Sequence, residues 1–575
     1  MTTIRLALAQ INPTVGDLSG NLEKIMSFVS IAEKSEADVV AFPELSVTGY
    51  PPEDLLLKPQ FVKENLEAVA EIAGKSKNVA IVFGFVDFHG ERYNSAAVAY
   101  QGKIVGTHRK IFLPNYGVFD EARYFKPGQI CPVFTIAGVS VGLNICEDIW
   151  YDLGPTGVQR AAGAEIIINI NGSPFHAGKR DERENMLRDR AKDHGLFVAY
   201  VNQVGGQDEL VFDGSSVILD PNGQTICRAP QFEEDIVLCD IDVKNLRQLR
   251  RDGSSDFQLE GINNVGSAQH FFVSGQSMKS MKNISSAISI PVSPIEEIRK
   301  ALVMGTHDYV SKSGFQKVLI ALSGGIDSSL VAALAVEALG AENVIGVSMP
   351  SQYSSEGSQT DAQELADNLG IVLETLPISD VYESMRNTLE NQFSGTEAGI
   401  AEENLQSRIR GNLIMAMSNK FGWLVLATGN KSEMAVGYAT IYGDMAGGFS
   451  VIKDVPKVMV YDICHHINGQ AASEIIPKTV LEKPPSAELR PNQKDSDSLP
   501  VYELLDPILE AYVEKDSSFE DIIGMGFMPD VVKKIITLVD RNEYKRRQAP
   551  PGVKITPRNF GRDRRMPVAN QYRPF

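Results

Sequence analysis

Cysteine is scarce in this chain: five in 575 residues, with no two in a CxxC pair. That count excludes a disulfide scaffold and a paired-cysteine zinc module, and it fits a reducing compartment, so the expected location is the cytoplasm. Positive charge is also short, with 55 Lys and Arg against 73 Asp and Glu and a formal net charge of -18. Such a balance argues against a protein that wraps nucleic acid. No apolar run reaches membrane-spanning length, and Met1-Thr2-Thr3 leads directly into a strand-like segment at 4–10 without the layout of a signal peptide. What remains is an ordinary globular composition, 43% apolar, in a chain too long for one hydrophobic core. Two or more domains are expected, and neither nucleic acid nor a membrane is an expected partner.

Short apolar strands recur to about residue 265, at 39–42, 79–85, 95–99, 139–145, 166–171, 196–202 and 215–219. Helical spacing at 22–36 and 62–76 separates them, and 182–194 is so dense in charge that it reads as a solvated outer helix. This is a layered α/β domain, and its reactive residue types fall just past strand ends. Glu44 follows one strand in Phe42-Pro43-Glu44, Lys110 precedes Ile111-Phe112-Leu113-Pro114, and Cys146 ends another strand in Leu143-Asn144-Ile145-Cys146-Glu147-Asp148. A thiol needs a base to become a nucleophile, and a cation to stabilise the charge it passes to a carbonyl oxygen. Taken singly, the three are equally an inert buried thiol, a solvated carboxylate and a surface cation.

Regularity fades between 261 and 292, which reads as a connection between domains or a stretch ordered along their surfaces; a helix at 295–310 then leads into a second domain. There the apolar strand at 317–322 meets Ser323-Gly324-Gly325-Ile326-Asp327-Ser328-Ser329, followed by a helix at 330–339. Two glycines permit a sharp turn, and amides at a helix start attract an anion. The loop lacks the Walker A lysine; spacing alone leaves it a phosphate nest or a plain strand-to-helix turn. Strands at 344–349 and 371–376, with a helix at 358–369, continue a doubly wound pattern. A long helix at 402–419 carries Asn404, and the strand at 423–427 runs into Ala427-Thr428-Gly429-Asn430-Lys431-Ser432-Glu433, where Glu433 offers a second carboxylate beside Asp327 for magnesium. Two loops suit a cover over this site, 350–357 and the apolar-poor 481–500. The basic stretch 541–573 suggests contact with substrate phosphates or a neighbouring subunit.

These motifs resemble known families. SGGxDS(S/T) at Ser323–Ser329 is similar to the signature of the ATP pyrophosphatases, while FPE, RKxxL and ICEDIW, in that order, resemble the nitrilase superfamily. That second resemblance implies a general base at Glu44, an oxyanion-stabilising Lys110 and a nucleophilic Cys146, with Tyr116, Glu121, Ser173 and Lys179 around a bound glutamine. Ala427–Glu433, Tyr442-Gly443-Asp444 and Glu543-Tyr544-Lys545-Arg546-Arg547-Gln548-Ala549-Pro550 look like the NAD synthetase family in its glutamine-dependent form, and the likeness covers essentially the whole chain.

The resemblance implies a nitrilase-like αββα sandwich at 1–265, a connecting segment at 266–291 and a doubly wound parallel-sheet domain of the adenine nucleotide α-hydrolase type at 292–575. ATP would bind at Ala321, Leu322, Ser323, Gly324, Gly325, Ile326, Asp327, Ser328, Ser329 and Thr428. Deamido-NAD would meet Asn404, Glu433, Asp444 and Lys545, and Mg2+ would meet Asp327 and Glu433. The implied reaction amidates deamido-NAD to NAD through an adenylylated intermediate, with ammonia channelled from glutamine inside a homo-oligomer. A ligase for another carboxylate, or a synthetase whose first domain is a noncatalytic scaffold, are the alternatives.

Overall fold

The computed structural model describes residues 3–252, 265–276, 284 and 287–575. Residues 277–283 and 285–286 of the expected connection lie outside that set. The chain divides into two compact units, Met1–Gln207 with Val211–Val292, and Asp208–Leu210 with Ser293–Phe575.

Among its described residues the first unit has two large sheets. One runs edge to edge through Asp235–Asp242, Thr3–Gln10, Val39–Ala41, Ala80–His89, Glu91–Tyr100 and Lys103–Arg109; the other through Thr225–Arg228, Val217–Leu219, Phe197–Asn202, Ile166–Asn171, Val139–Ile145, Ile130–Ile136 and Ser267–Phe272. Thr3–Gln10 shows why the layers form. Its Leu6 and Leu8 enter the core between the sheets, while Ala7 and Ala9 face an outer core with residues of the helices Leu18–Lys34 and Pro59–Lys75. A strand buried on both faces reads as a continuous apolar run. Leu187 and Ala191 of Lys179–His194 cover the second sheet in the same way, against Ile167 and Val198. The result is the αββα sandwich expected from the resemblance.

Two readings are corrected. The helix Lys179–His194 is not simply solvated: Arg183 makes two hydrogen bonds to Asp213, at 3.1 and 2.7 Å, with both side chains buried, and Glu184 accepts from Arg228 at 2.9 and 2.8 Å. Charge density in the sequence did not reveal this because the partners lie on other elements. Ser267–Phe272, inside the expected connection, is a parallel edge strand paired with Ile130–Ile136.

The second unit carries a parallel sheet in the order Val372–Thr375, Val344–Ser348, Val318–Ala321, Leu424–Ala427, Phe449–Ser450. From Val318–Ala321 the chain first builds to one side and then to the other, so the strand order reverses between that strand and Leu424–Ala427. The loops after those two strands part there and leave a crevice, which is where open α/β sheets bind ligands. The helix after the first begins at Ile326, earlier than the apolar pattern indicates, so Asp327, Ser328 and Ser329 occupy its first turn. Helices Tyr502–Leu509 and Pro529–Arg541 build a separate apolar cluster with Ala435 and Phe560. The basic C-terminal stretch turns partly inward: Arg546 donates to Ala435 O at 2.6 Å, and Arg564 pairs with Asp540 and Glu543 at 3.3 and 3.2 Å.

Candidate active sites in the two units

In the first unit, strand ends bring Glu44, Lys110 and Cys146 into one buried cluster. Lys110 Nζ donates to Glu44 Oε1 at 2.7 Å and to Glu121 Oε1 at 2.8 Å. Asn94 Nδ2 also donates to Glu44 Oε1, at 2.6 Å, and the Gly172 amide donates to Glu44 Oε2 at 2.9 Å, so donors on three separate segments fix this carboxylate. The Tyr50 hydroxyl donates to Glu121 Oε1 at 3.0 Å. Asn94 and Tyr50 were not singled out from the sequence, since a buried amide and a phenol carry no local mark of what they will hold. Cys146 opens the turn Cys146–Ile149 with φ +43°, a strained position for a residue with a side chain, sustained where packing over-determines it.

One ammonium serves two carboxylates here, with all three side chains buried. Burial pulls Lys110 down, but Glu121 and Glu44 outweigh it and raise the group well above its ordinary range. Burial pushes Glu121 up to about 7 against the pull of Lys110. Burial and then the Glu44 charge push the Cys146 thiol well up, with Lys110 opposing. Burial thus favours the neutral thiol over the thiolate at Cys146.

Of the remaining expected residues, Ser173 is buried and its amide donates to Asn202 Oδ1 at 3.0 Å. Tyr116 is 58% exposed and its hydroxyl reaches both Glu147 oxygens at 3.1 and 3.0 Å. Lys179 Nζ lies 4.3 Å from the centre of the Trp150 ring and 3.0 Å from Glu182 Oε1. Tyr116 and Lys179 thus hold residues in or next to the turn that begins with Cys146.

In the second unit, a cavity of about 410 Å³ opens at the reversal of strand order. Ala321, Leu322, Ser323, Gly325, Ile326, Asp327, Ser328 and Thr428 line it, together with Asn404, Glu433, Asp444 and Lys545. Gly324 and Ser329 are not among the lining residues. Gly324 has φ +73°, and a Cβ there would lie 2.1 Å from the Ser358 carbonyl oxygen; Ser329 Oγ turns back to Gly325 O at 2.9 Å. Asn430 joins the two loops, donating to Asp327 Oδ1 at 3.0 Å while its own Oδ1 accepts from the Glu433 amide at 3.0 Å.

Lys457, which the sequence did not single out, bridges Asp327 and Glu433: its Nζ is 3.0 Å from Glu433 Oε1 and contacts Asp327 Oδ2. Burial lifts Glu433 to about 7, with Lys457 lowering it and Asp327 raising it. Elsewhere in the cavity, Thr440 ties two expected residues together, its hydroxyl on Asn404 Oδ1 at 2.8 Å and its amide on Asp444 Oδ1 at 2.6 Å. Lys545 Nζ donates to Gly437 O at 2.7 Å and Ala439 O at 2.9 Å. Residues 483–489 of the expected cover line the cavity, and Glu488 Oε1 accepts from Ser355 and Ser358 hydroxyls at 2.9 and 2.8 Å.

Comparison with known proteins agrees with this division. Residues 5–251 match the carbon-nitrogen hydrolase family and residues 298–549 the NAD synthase family. A glutamine-dependent NAD(+) synthetase of Thermotoga maritima is 48% identical, with 100% of each chain covered. One of Aquifex aeolicus is also 48% identical, covering 99% of this chain and 100% of the relative. Among solved structures, a glutamine-dependent NAD+ synthetase from Acinetobacter baumannii in complex with ADP is 41% identical, with a TM-score of 0.75 over 100% of both chains.

Proposed function

The chain belongs to the glutamine-dependent NAD(+) synthetases, and from that premise we propose how its residues divide the reaction. The enzyme is a carbon-nitrogen ligase. It amidates deamido-NAD to NAD with ATP through an adenylylated intermediate, using ammonia from L-glutamine and releasing AMP, diphosphate and L-glutamate. The observation that carries the assignment of residues is the pairing, in one chain, of a buried Cys-Glu-Lys cluster with a nucleotide-sized cavity at a strand crossing.

In our reading Glu44 takes the Cys146 proton as Sγ attacks the side-chain amide carbon of glutamine, and Lys110 stabilises the oxyanion. The proton passes to the departing ammonia. Glu44 then deprotonates a water that cleaves the thioester, restoring the thiol and freeing glutamate. Glu121 keeps Lys110 charged, while Tyr116, Ser173 and Lys179 hold the amino-acid end of the substrate.

In the second unit the phosphate loop, residues 321–329, and Thr428 hold ATP. Asn404, Glu433, Asp444 and Lys545 hold deamido-NAD. A carboxylate oxygen of deamido-NAD attacks the α-phosphorus and diphosphate leaves; ammonia then attacks the acyl carbon and AMP leaves. Closure of 481–500 over the site keeps water from the mixed anhydride. Ammonia protonates and diffuses away when free, so its transfer belongs inside the protein, in a cytoplasmic homo-oligomer. We place the functional boundary near residue 292, with Ser267–Phe272 of the expected connection belonging to the first unit.

Asp327 and Glu433 fit a magnesium ion in donor type and convergence, since both reach one cationic atom, the Lys457 ammonium. Asp327 and Glu433 would hold the ion in place of the Lys457 ammonium. When bound, magnesium would neutralise charge on the departing diphosphate.

The test is a product assay with purified protein, ATP, magnesium and deamido-NAD, with glutamine or with ammonium. NAD and AMP in equal amounts from both nitrogen sources are expected. NAD from ammonium alone would remove the proposed role of the first unit, and no NAD from either by folded protein would contradict the assignment.

A further inference from the structure

We propose that Asp148 is a positioning residue for the thiol chemistry, one carboxylate that locks the turn carrying Lys110 to the turn carrying Cys146. Its side chain is fully buried. Oδ1 accepts from the backbone amides of Ile111 and Phe112, both at 3.0 Å, and these are the two residues that follow Lys110. Oδ2 accepts from the amide of Ile145 at 3.1 Å, the residue that precedes Cys146, and lies 2.8 Å from His108 Nε2. The other ring nitrogen of His108 lies 3.2 Å from Ile130 O, so the imidazole is fixed at both ends.

The bond to Ile145 alone would be an ordinary local cap at the start of a short turn. The bonds to Ile111, Phe112 and His108 are different in kind, because they come from a distant strand end in the other sheet. Without the carboxylate three backbone N–H groups, one buried and two part-buried, lose their acceptor, which removes a restraint on both turns. Cys146 depends on such restraint, since it sits at φ +43°. Small displacements between a nucleophile and its oxyanion partner are catalytically expensive, about 10²-fold for roughly 1 Å. Asp148 acts through both turns and not on the substrate itself.

Asparagine at this position is a discriminating change. Both carboxylate oxygens accept backbone N–H groups, so whichever way the amide is turned its NH2 meets a donor. The inference rests on the assignment of Cys146 as the nucleophile. In full-length Asp148→Asn, glutamine-driven kcat should fall about 10- to 100-fold with glutamine KM within about twofold, while ammonium-driven turnover in the same preparation stays at the wild-type level. A purely structural residue of the first unit would not give that split. Glutamine-driven kcat within about twofold of wild type would overturn the proposal. If Asp148→Asn fails to fold, His108→Phe carries the test: it removes one bond and leaves three, and a glutamine kcat reduced about threefold or more at constant KM is expected, an unchanged kcat overturning the proposal. Cys146→Ala separates the two levels, because persistent glutamine use in that variant would overturn the underlying assignment instead.

Discussion

Lys110 Nζ lies 2.7 Å from Glu44 Oε1, and neither side chain has any solvent exposure. Buried ions persist only when paired, so this contact holds the proposed base and the proposed oxyanion group in place together and makes each depend on the other. Replacing Lys110 by Met should abolish glutamine-driven NAD formation. It should also destabilise the first unit by roughly 3–5 kcal/mol, since Glu44 and Glu121 would face each other without a cation. Chemical denaturation and the two-nitrogen assay check both parts; a stable variant that still uses glutamine would contradict the cluster.

Glu121 gives a pH dependence with a definite sign. Burial first, against the pull of Lys110, lifts it to about 7 from the ordinary 4.5. Between those values the folded chain keeps a proton that the unfolded chain has released. Its contribution to stability is therefore full in acid and is lost as pH rises through 7. That contribution is ~3 kcal/mol at most. Unfolding free energy should fall more between about pH 5 and about pH 8 in the wild type than in Glu121→Gln, and parallel pH curves would contradict the assignment.

Arg183 and Asp213 form a bidentate pair with side chains about 1% exposed. Removing one partner leaves the other as an uncompensated buried charge. Arg183→Met should cost roughly 3–5 kcal/mol of unfolding free energy. Arg183→Lys should recover part of it, because a lysine cannot reproduce the two parallel bonds. Equal stability of all three proteins in urea would show that the pair contributes little.

Gly324 has both a left-handed backbone and no room for a side chain, with the Ser358 carbonyl oxygen 2.1 Å from the position of a Cβ. Gly324→Ala should therefore displace the loop 323–329, the proposed phosphate loop, from the helix Glu356–Leu369 and suppress NAD formation at least about tenfold from either nitrogen source. Hydrolysis of glutamine by the first unit, followed as glutamate release, should persist. Normal ammonium-driven turnover would contradict the loop geometry.

How much of this was legible in the sequence depends on whether the signal was local. Val139–Ile145 and Ile166–Asn171 are observed with the bounds their apolar runs suggest, because strands buried on both faces announce themselves by composition. Lys103–Arg109 and Ser267–Phe272 are edge strands with exposed and polar positions, and no such run marks them. Glu44 and Cys146 were readable because each stands at the end of an apolar strand, and Lys110 through the RKxxL motif; that they meet is tertiary information. Lys457 was missed for the same reason, since nothing in Val455-Pro456-Lys457 indicates that its ammonium will lie between Asp327 and Glu433. The charged helix Lys179–His194 misled because burial of Arg183 is decided by Asp213, thirty positions away.

The most direct measurement is the effect of Cys146→Ala on the two nitrogen sources in parallel, with ATP, magnesium and deamido-NAD at saturation. Two sites that work in sequence within one chain predict that glutamine-driven NAD formation and glutamate release disappear together, while ammonium-driven NAD and AMP remain at the wild-type rate. Continued glutamine use, or loss of both activities in a folded protein, would contradict the assignment of Cys146 and with it the division of labour between the two units.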